Sequence, residues 1–279
     1  MRPTNRFGFH YHFRIMLAAF AVLILGPLPA GALDIGGIQF VESYGGAHPA
    51  EFTALLSQVE AIVPAALAYI TAQWGLSNTL RYPLIVTIAD IPTKDAARPV
   101  AAYVRAVRSN GEVRQNLVVD LQHHLMYPDD NLEQILYHEM AHAILQDAVT
   151  SAEAAGIPQW FNEGLAQTVT TEGHDRTLED FKRWGHTDAQ AVLCDLNGYV
   201  DVFYHGEYNF GCYTQFYLAV HQLIALSGKD GLPRLMDGLR DGTPLPDLVQ
   251  PVTGLNWIDF QTNVHQFTRD VFSGKLPVP

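Results

Sequence analysis

Apolar positions recur along this chain with two periods. Over residues 49–74, Leu55, Leu56, Val59, Ile62, Leu67 and Ile70 share one stripe at helical spacing, which predicts a long helix with Pro64 as a point of kinking. The stretch 35–44 reads as a strand closed by Gly45-Gly46. Leu84-Ile85-Val86-Thr87-Ile88, within 83–89, is a continuous apolar run of strand length. Two β-rich runs, 100–108 and 113–121, flank Ser109-Asn110-Gly111 and predict a hairpin.

Beyond residue 130 the period becomes helical. Leu132, Ile135, Leu136, Met140, Ala143, Ile144 and Leu145 cover nearly all sides of one helix, which predicts a buried one. Asp130 can cap it, and Glu133 completes a capping-box-like pair. An Ala/Glu/Gly loop over 148–157 leads to a second helix from Pro158 to about Thr170, with Pro158 suited to its first turn. A weak helical pattern occupies 176–196. An apolar helix over 210–227 ends at Gly228, a short one over 232–239 ends at Arg240-Asp241-Gly242, and an amphipathic one covers 257–272. The chain contains no repeat and no low-complexity tract. Helix and sheet first, mainly helices after, is an α+β order.

The buried helix carries the chemistry. His138-Glu139-Met140-Ala141-His142 reads H-E-x-x-H. Residues four apart lie on one helix face, so both imidazoles can hold one metal ion. Glu139 is offset by about 100°, which sets a carboxylate beside the metal and suits a general base acting on water. Two histidines and a glutamate inside an apolar helix need partners, because unpaired buried polar groups cost stability. A catalytic zinc takes three protein ligands and leaves one position open. Glu163, between Trp160, Phe161 and Leu165, is the natural third. Gln167, one turn on, can hold a ligand in place or be a solvated surface glutamine. His123-His124 reads as loop ahead of the cap.

Pro158-Gln159-Trp160-Phe161-Asn162-Glu163-Gly164-Leu165-Ala166 resembles the second zinc helix of the gluzincin metallopeptidases, in which H-E-x-x-H is followed by a Glu ligand, often within N-E-G-x-A. Twenty residues separate His142 from Glu163, close to the spacing in that group. The chain has no G-x-M-E-N segment, the element that captures a substrate amine in the aminopeptidase N family, so it is more similar to the peptidase MA-like group. The resemblance implies a zincin-like fold, with an N-terminal mixed sheet plus helices, the H-E-x-x-H helix, and a mainly helical C-terminal lobe. It implies one Zn2+ per chain on His138, His142 and Glu163, with Glu139 as the base. It also implies close packing at Gly164, and substrate pairing along one arm of the 100–121 hairpin, whose alternative is an ordinary solvated hairpin. Cys212-Tyr213-Thr214-Gln215-Phe216-Tyr217-Leu218 resembles the helix that supplies the oxyanion donor in such enzymes, which makes Tyr213 the candidate. Tyr217, His205 and His221 compete, and a packed core tyrosine is the alternative.

Composition narrows the partners. The chain has 279 residues, is 48% hydrophobic and carries a formal charge of −12, which disfavours nucleic acid and anionic membrane surfaces. Arg2, Arg6 and Arg14, then an apolar run over 15–25, Pro27, Pro29 and Ala30-Gly31-Ala32 read as a cleavable signal peptide over residues 1–32; an uncleaved anchor is the alternative. Removing three arginines and no acids takes the charge from −12 to −15. The mature chain, 33–279, is expected to comprise an upper α+β lobe to about 147 and a lower helical lobe from about 148. Export favours a Cys194–Cys212 disulfide over two buried thiols. The expectation is an exported zinc metallopeptidase, periplasmic or extracellular, cleaving peptide or protein substrates and not inserted in a membrane after signal cleavage, an endopeptidase rather than an aminopeptidase. The alternative is a cell-envelope binding or scaffolding protein that keeps the zincin fold with structural zinc.

Overall fold

A 26-residue helix, α1 (Pro49–Trp74), packs its apolar stripe into the core of this computed structural model. The residues described are 34–35, 37–42, 44–91, 100–109, 112–149, 157–171, 173–175, 177–178, 196 and 210–279. Residues 32–279 form one compact unit. The signal-peptide region, residues 1–32, lies outside the described residues, as does the tip of the predicted hairpin at 110–111.

α1 buries Phe52, Leu55, Val59, Val63, Ala66, Leu67, Ile70 and Trp74, while Leu56 and Ile62 from the predicted stripe are only partly covered. Pro64 lies inside the continuous helix. Gly75 ends it at φ 69°, a left-handed conformation that glycine adopts without strain, and its N–H reaches the carbonyl of Thr71. Among the described helices α1 alone is long and apolar enough to cross a membrane; here its apolar stripe packs into the core.

The sheet has five strands in the order β1-β2-β3-β5-β4. β1 (Asp34–Ile35) and β2 (Ile38–Val41) divide the single strand expected over 35–44, because Gly37 turns the chain at φ 89°. β2, β3 (Leu84–Ala89) and β5 (Glu112–Asp120) run parallel, and β4 (Ala102–Ser109) pairs antiparallel with β5 at the outer edge. Leu84, Gln115 and Ala106 are level across β3, β5 and β4. β5 lies between two strands, so its alternate side chains Gln115, Leu117 and Val119 are buried.

Two short features differ from the sequence reading. His123 and His124 belong to a helix, α2 (Leu121–Met126), capped by the Asp120 carboxylate. His123 is buried and its Nε2 lies 2.8 Å from Asp130 Oδ2. Asp130 is thereby engaged, and the cap of the next helix falls to Asn131, whose Oδ1 accepts from the Gln134 N–H at 3.1 Å.

That next helix, α3 (Leu132–Val149), is held at its far end by cations. Asp147 Oδ1 accepts the backbone N–H groups of Arg81 and Tyr82, both at 2.9 Å. The Arg81 guanidinium reaches the Asp147 carbonyl, and Arg240 Nε donates to the Ala148 carbonyl at 2.8 Å. Positive groups on the last carbonyls of a helix satisfy orphan acceptors and oppose the macrodipole. The contacts also orient α3. Its start follows α2 from the end of β5, and its end sits at the entry to β3, so it runs antiparallel to β3 and β5.

The remaining described helices are α4 (Gln159–Thr168), α5 (Phe210–Ser227), α6 (Gly231–Arg240), α7 (Leu245–Thr253) and α8 (Trp257–Phe272). α5 and α8 have the predicted bounds, and α4 ends two residues short of Thr170. α7 was not legible in the sequence. Trp160 of α4 packs with Trp257 and Phe260 of α8 and with its neighbour Phe161, so the second motif helix is embedded in the helical part. The fold is α+β.

Candidate metal centre

His138, His142 and Glu163 converge as the H-E-x-x-H spacing and the downstream Glu require. One ligand atom from each lies within 4.8 Å of the others. The two imidazoles, four residues apart on α3, have ring centroids 4.8 Å apart and nearly perpendicular planes. Glu163 Oε2 is 3.6 Å from His138 Nε2 and 3.8 Å from His142 Nε2.

A tetrahedral ion with bonds of about 2.0–2.1 Å needs ligand atoms roughly 3.3 Å apart. The observed separations approach that span. Two imidazoles and a carboxylate are the donor set of a three-ligand zinc site with an open fourth position. His142 is the most enclosed, with its side chain 10% exposed, against 16% and 17% for His138 and Glu163. The donors are therefore mostly enclosed and still reached by solvent. Glu139 follows His138 directly on α3 and is half-buried.

The surroundings fix these donors. His142 Nδ1–H donates to Asn162 Oδ1 at 2.9 Å. A bond at Nδ1 selects the tautomer whose Nε2 lone pair faces Glu163. Sequence reasoning gave Asn162 no role; its signal was its place directly before Glu163 in N-E-G. On the far side, Gln134 Nε2 donates to Thr171 Oγ1 at 2.9 Å. Gln134 precedes His138 by one turn, and Thr171 follows α4. Contacts 142 to 162, 138 to 163 and 134 to 171 show α4 running antiparallel to α3.

Gly164 lets α4 approach α5. A Cβ there would sit 2.4 Å from the Phe216 carbonyl oxygen and 2.6 Å from Val220 Cγ2. The close packing expected at Gly164 is present, and it sets the residue next to Glu163 directly against α5.

The oxyanion candidates separate. Tyr213 is half-buried on α5 with its ring 6.0 Å from that of Phe216. By helical period it lies within about 20° of Val220, on the side that meets Gly164. Tyr217 is buried, its hydroxyl donates to the Pro279 carbonyl at 2.7 Å, and burial pushes its pKa up to about 12. That hydroxyl is engaged by the Pro279 oxygen. His221 packs edge-on against Tyr217, and burial lowers its pKa. His205 lies outside the described residues. Gln167, for which a surface position was one of two readings, is fully buried. Cys212 is buried, while Cys194 lies outside the described residues and with it the expected bridge.

No protein-family model matches this chain, and no curated protein does. Among solved structures, it is similar to a two-domain M1 zinc metallopeptidase with bound L-arginine, at 14% identity and TM-score 0.37, over 83% of this chain and 47% of that one. It is also similar to an M1 zinc metallopeptidase from Deinococcus radiodurans bound to a Tyr-Ser-Ala substrate. That match has 17% identity and TM-score 0.37, over 87% of this chain and 49% of that one. The chain spans about half the length of each of these structures.

Proposed function

We propose that this protein is a zinc-dependent peptidase of gluzincin type, an endopeptidase rather than an aminopeptidase. The observation that carries the reading is the convergence of His138, His142 and Glu163 within 4.8 Å, with Glu139 next to the first ligand on the same helix. A purely structural site has no use for that extra carboxylate, which favours catalysis over a scaffolding role.

Zinc, when bound, supplies a Lewis acid and lowers the pKa of a coordinated water toward about 7. The residues do the rest. Glu139 accepts the proton of the attacking water and later delivers it to the leaving amine. Asn162 keeps Nε2 of His142 free for coordination by holding Nδ1–H. Tyr213 is the proposed donor to the developing oxyanion, the place left after Tyr217 is committed to Pro279. Substrate lies along β4, the strand of the predicted hairpin at the sheet edge, where main-chain hydrogen bonds accept many sequences.

The proposal extends to export, with signal cleavage near Ala32, a periplasmic or extracellular setting, a Cys194–Cys212 bridge, and peptide or protein substrates. It includes no nucleic-acid partner and no membrane insertion after cleavage. The test is metal content together with turnover. The wild type should hold about one zinc per chain and His142→Ala should lose it. Glu139→Gln should keep zinc and lose roughly 10²–10⁴-fold in peptide hydrolysis, measured on a mixed peptide library. Full activity in Glu139→Gln would remove the mechanism; no metal in the wild type would remove the site.

A further inference from the structure

Gln167 is buried polar chemistry that the mechanism above does not use. It is 0% exposed on α4, and neither its Oε1 nor its Nε2 has a hydrogen-bond partner within the described protein. A primary amide in that condition destabilises the fold, so its presence calls for a function. Its place on the helix points to one. Glu163 lies one turn earlier, about 40° away around the axis, with β-carbons roughly 5–6 Å apart. Gly164 on the adjoining side presses α4 onto Phe216 and Val220. The Gln134–Thr171 hydrogen bond joins α3 to the segment beyond α4. Gln167 therefore occupies the stretch of α4 between the metal donors and that bond.

Glu163 turns one oxygen, Oε2, toward both histidines. We propose that Gln167 is a positioning residue for Glu163. Its Nε2–H donates to Oε1 when the metal holds Oε2, and this keeps the carboxylate a one-oxygen ligand. The open coordination position then stays available to water. This inference rests on the metal reading above. Ligating carboxylates are held by hydrogen bonds in this way, and losing such a bond weakens metal binding about 10–100-fold. An amide that gains its partner only in the metal-bound state also explains why it is left unpaired among the protein groups.

The test uses the full chain with Gln167→Leu, an apolar side chain of similar volume, and Gln167→Met as a second and more adaptable one should the first fail to fold. Three quantities are read: Tm of the metal-free protein, zinc affinity by chelator competition, and the visible absorption of the Co2+ form. The expected result is a metal-free Tm no lower than that of the wild type, zinc affinity weaker by about tenfold or more, and an altered Co2+ spectrum. A merely structural glutamine would give a lowered metal-free Tm with an unchanged Co2+ spectrum, and that result overturns the proposal. So does unchanged affinity with an unchanged spectrum. In both cases wild-type zinc binding that is lost in His142→Ala leaves the metal site standing. Absence of zinc binding in the wild type removes the site and this inference together.

Discussion

Asp120 shows what one buried oxygen does to the pH dependence of the whole chain. Its Oδ1 accepts the backbone N–H groups of Ile91 and Gln122, both at 3.1 Å, while Oδ2 is buried with no partner in the described protein. Burial raises its pKa above the ordinary carboxylate value, against the opposing pull of those N–H groups. The fold thus favours the protonated carboxyl. Its contribution is complete below the unfolded pKa and is lost as pH rises through the folded one. Asp120→Asn keeps the Oδ1 acceptor and cannot ionise. Thermal melts from about pH 3 to pH 8 should show the variant level with the wild type in acid and increasingly more stable above the carboxylate range. A gap that does not change with pH would contradict this. Legibility at this scale follows the same division between local and tertiary causes. His138, Glu139 and His142 were readable because one helical turn holds their whole geometry. Glu163 needed only a neighbouring N-E-G segment. Asn162 acquires its role from a partner 20 residues away, and Gln167 stayed between a ligand-holding and a surface reading because a polar side chain suggests solvent until tertiary packing buries it.

Among the elements, α4 is constrained by its contact with α5. Gly164 meets the Phe216 backbone as well as a Val220 methyl of α5, and backbone cannot turn aside, so a methyl group there must push the helices apart. Gly164→Ala should cost about 1–3 kcal/mol, which lowers Tm by some 2–12 °C in a chain of this size. Glu163 is the adjacent residue on the displaced helix, so zinc affinity should fall as well. A variant with unchanged Tm and zinc affinity would show that α4 and α5 do not clamp the site. Periodicity sufficed for α1, α5 and α8, whose apolar stripes are long and whose ends carry Gly75, Gly228 or the Asn256 cap. It gave no assignment at α7, where Pro246 and Pro251 interrupt a nine-residue stretch. Pro246 occupies the first turn, where a missing N–H costs nothing, and Leu245 and Val249 bury one face. It failed for α2 as well, a six-residue helix whose start depends on Asp120.

At the scale of the molecule, the proposed cleft needs α3 and the sheet edge in register. Asp147 ties the end of α3 to Arg81 and Tyr82, two to three residues ahead of Leu84, which is level with Gln115 and Ala106. Counting back, His142 and His138 lie about 7.5 and 13.5 Å along the helix. These distances equal roughly two and four strand residues, which by ideal rises sets the histidines alongside β4 and not beyond its end. None of this was available from the sequence, because the order β3-β5-β4 places the hairpin's first arm outside its second. The ladder then identifies the free groups. Asp120 N–H donates to the Ala101 carbonyl, and Ala102 faces Val119, so Ala101, Tyr103 and Arg105 bond to β5. The amides of Ala102, Val104 and Ala106 point away from the sheet. Ala106 is exposed, so Ala106→Pro removes one outward N–H and spares the ladder. If substrate pairs with this edge, the loss is one hydrogen bond of about 1 kcal/mol, and KM for an extended peptide rises roughly fivefold. kcat, zinc content and Tm should hold. Arg105→Pro, which breaks a bond to β5, should instead lower Tm. An unchanged KM in Ala106→Pro, with the Arg105→Pro effect present, would place the substrate on some other surface than β4.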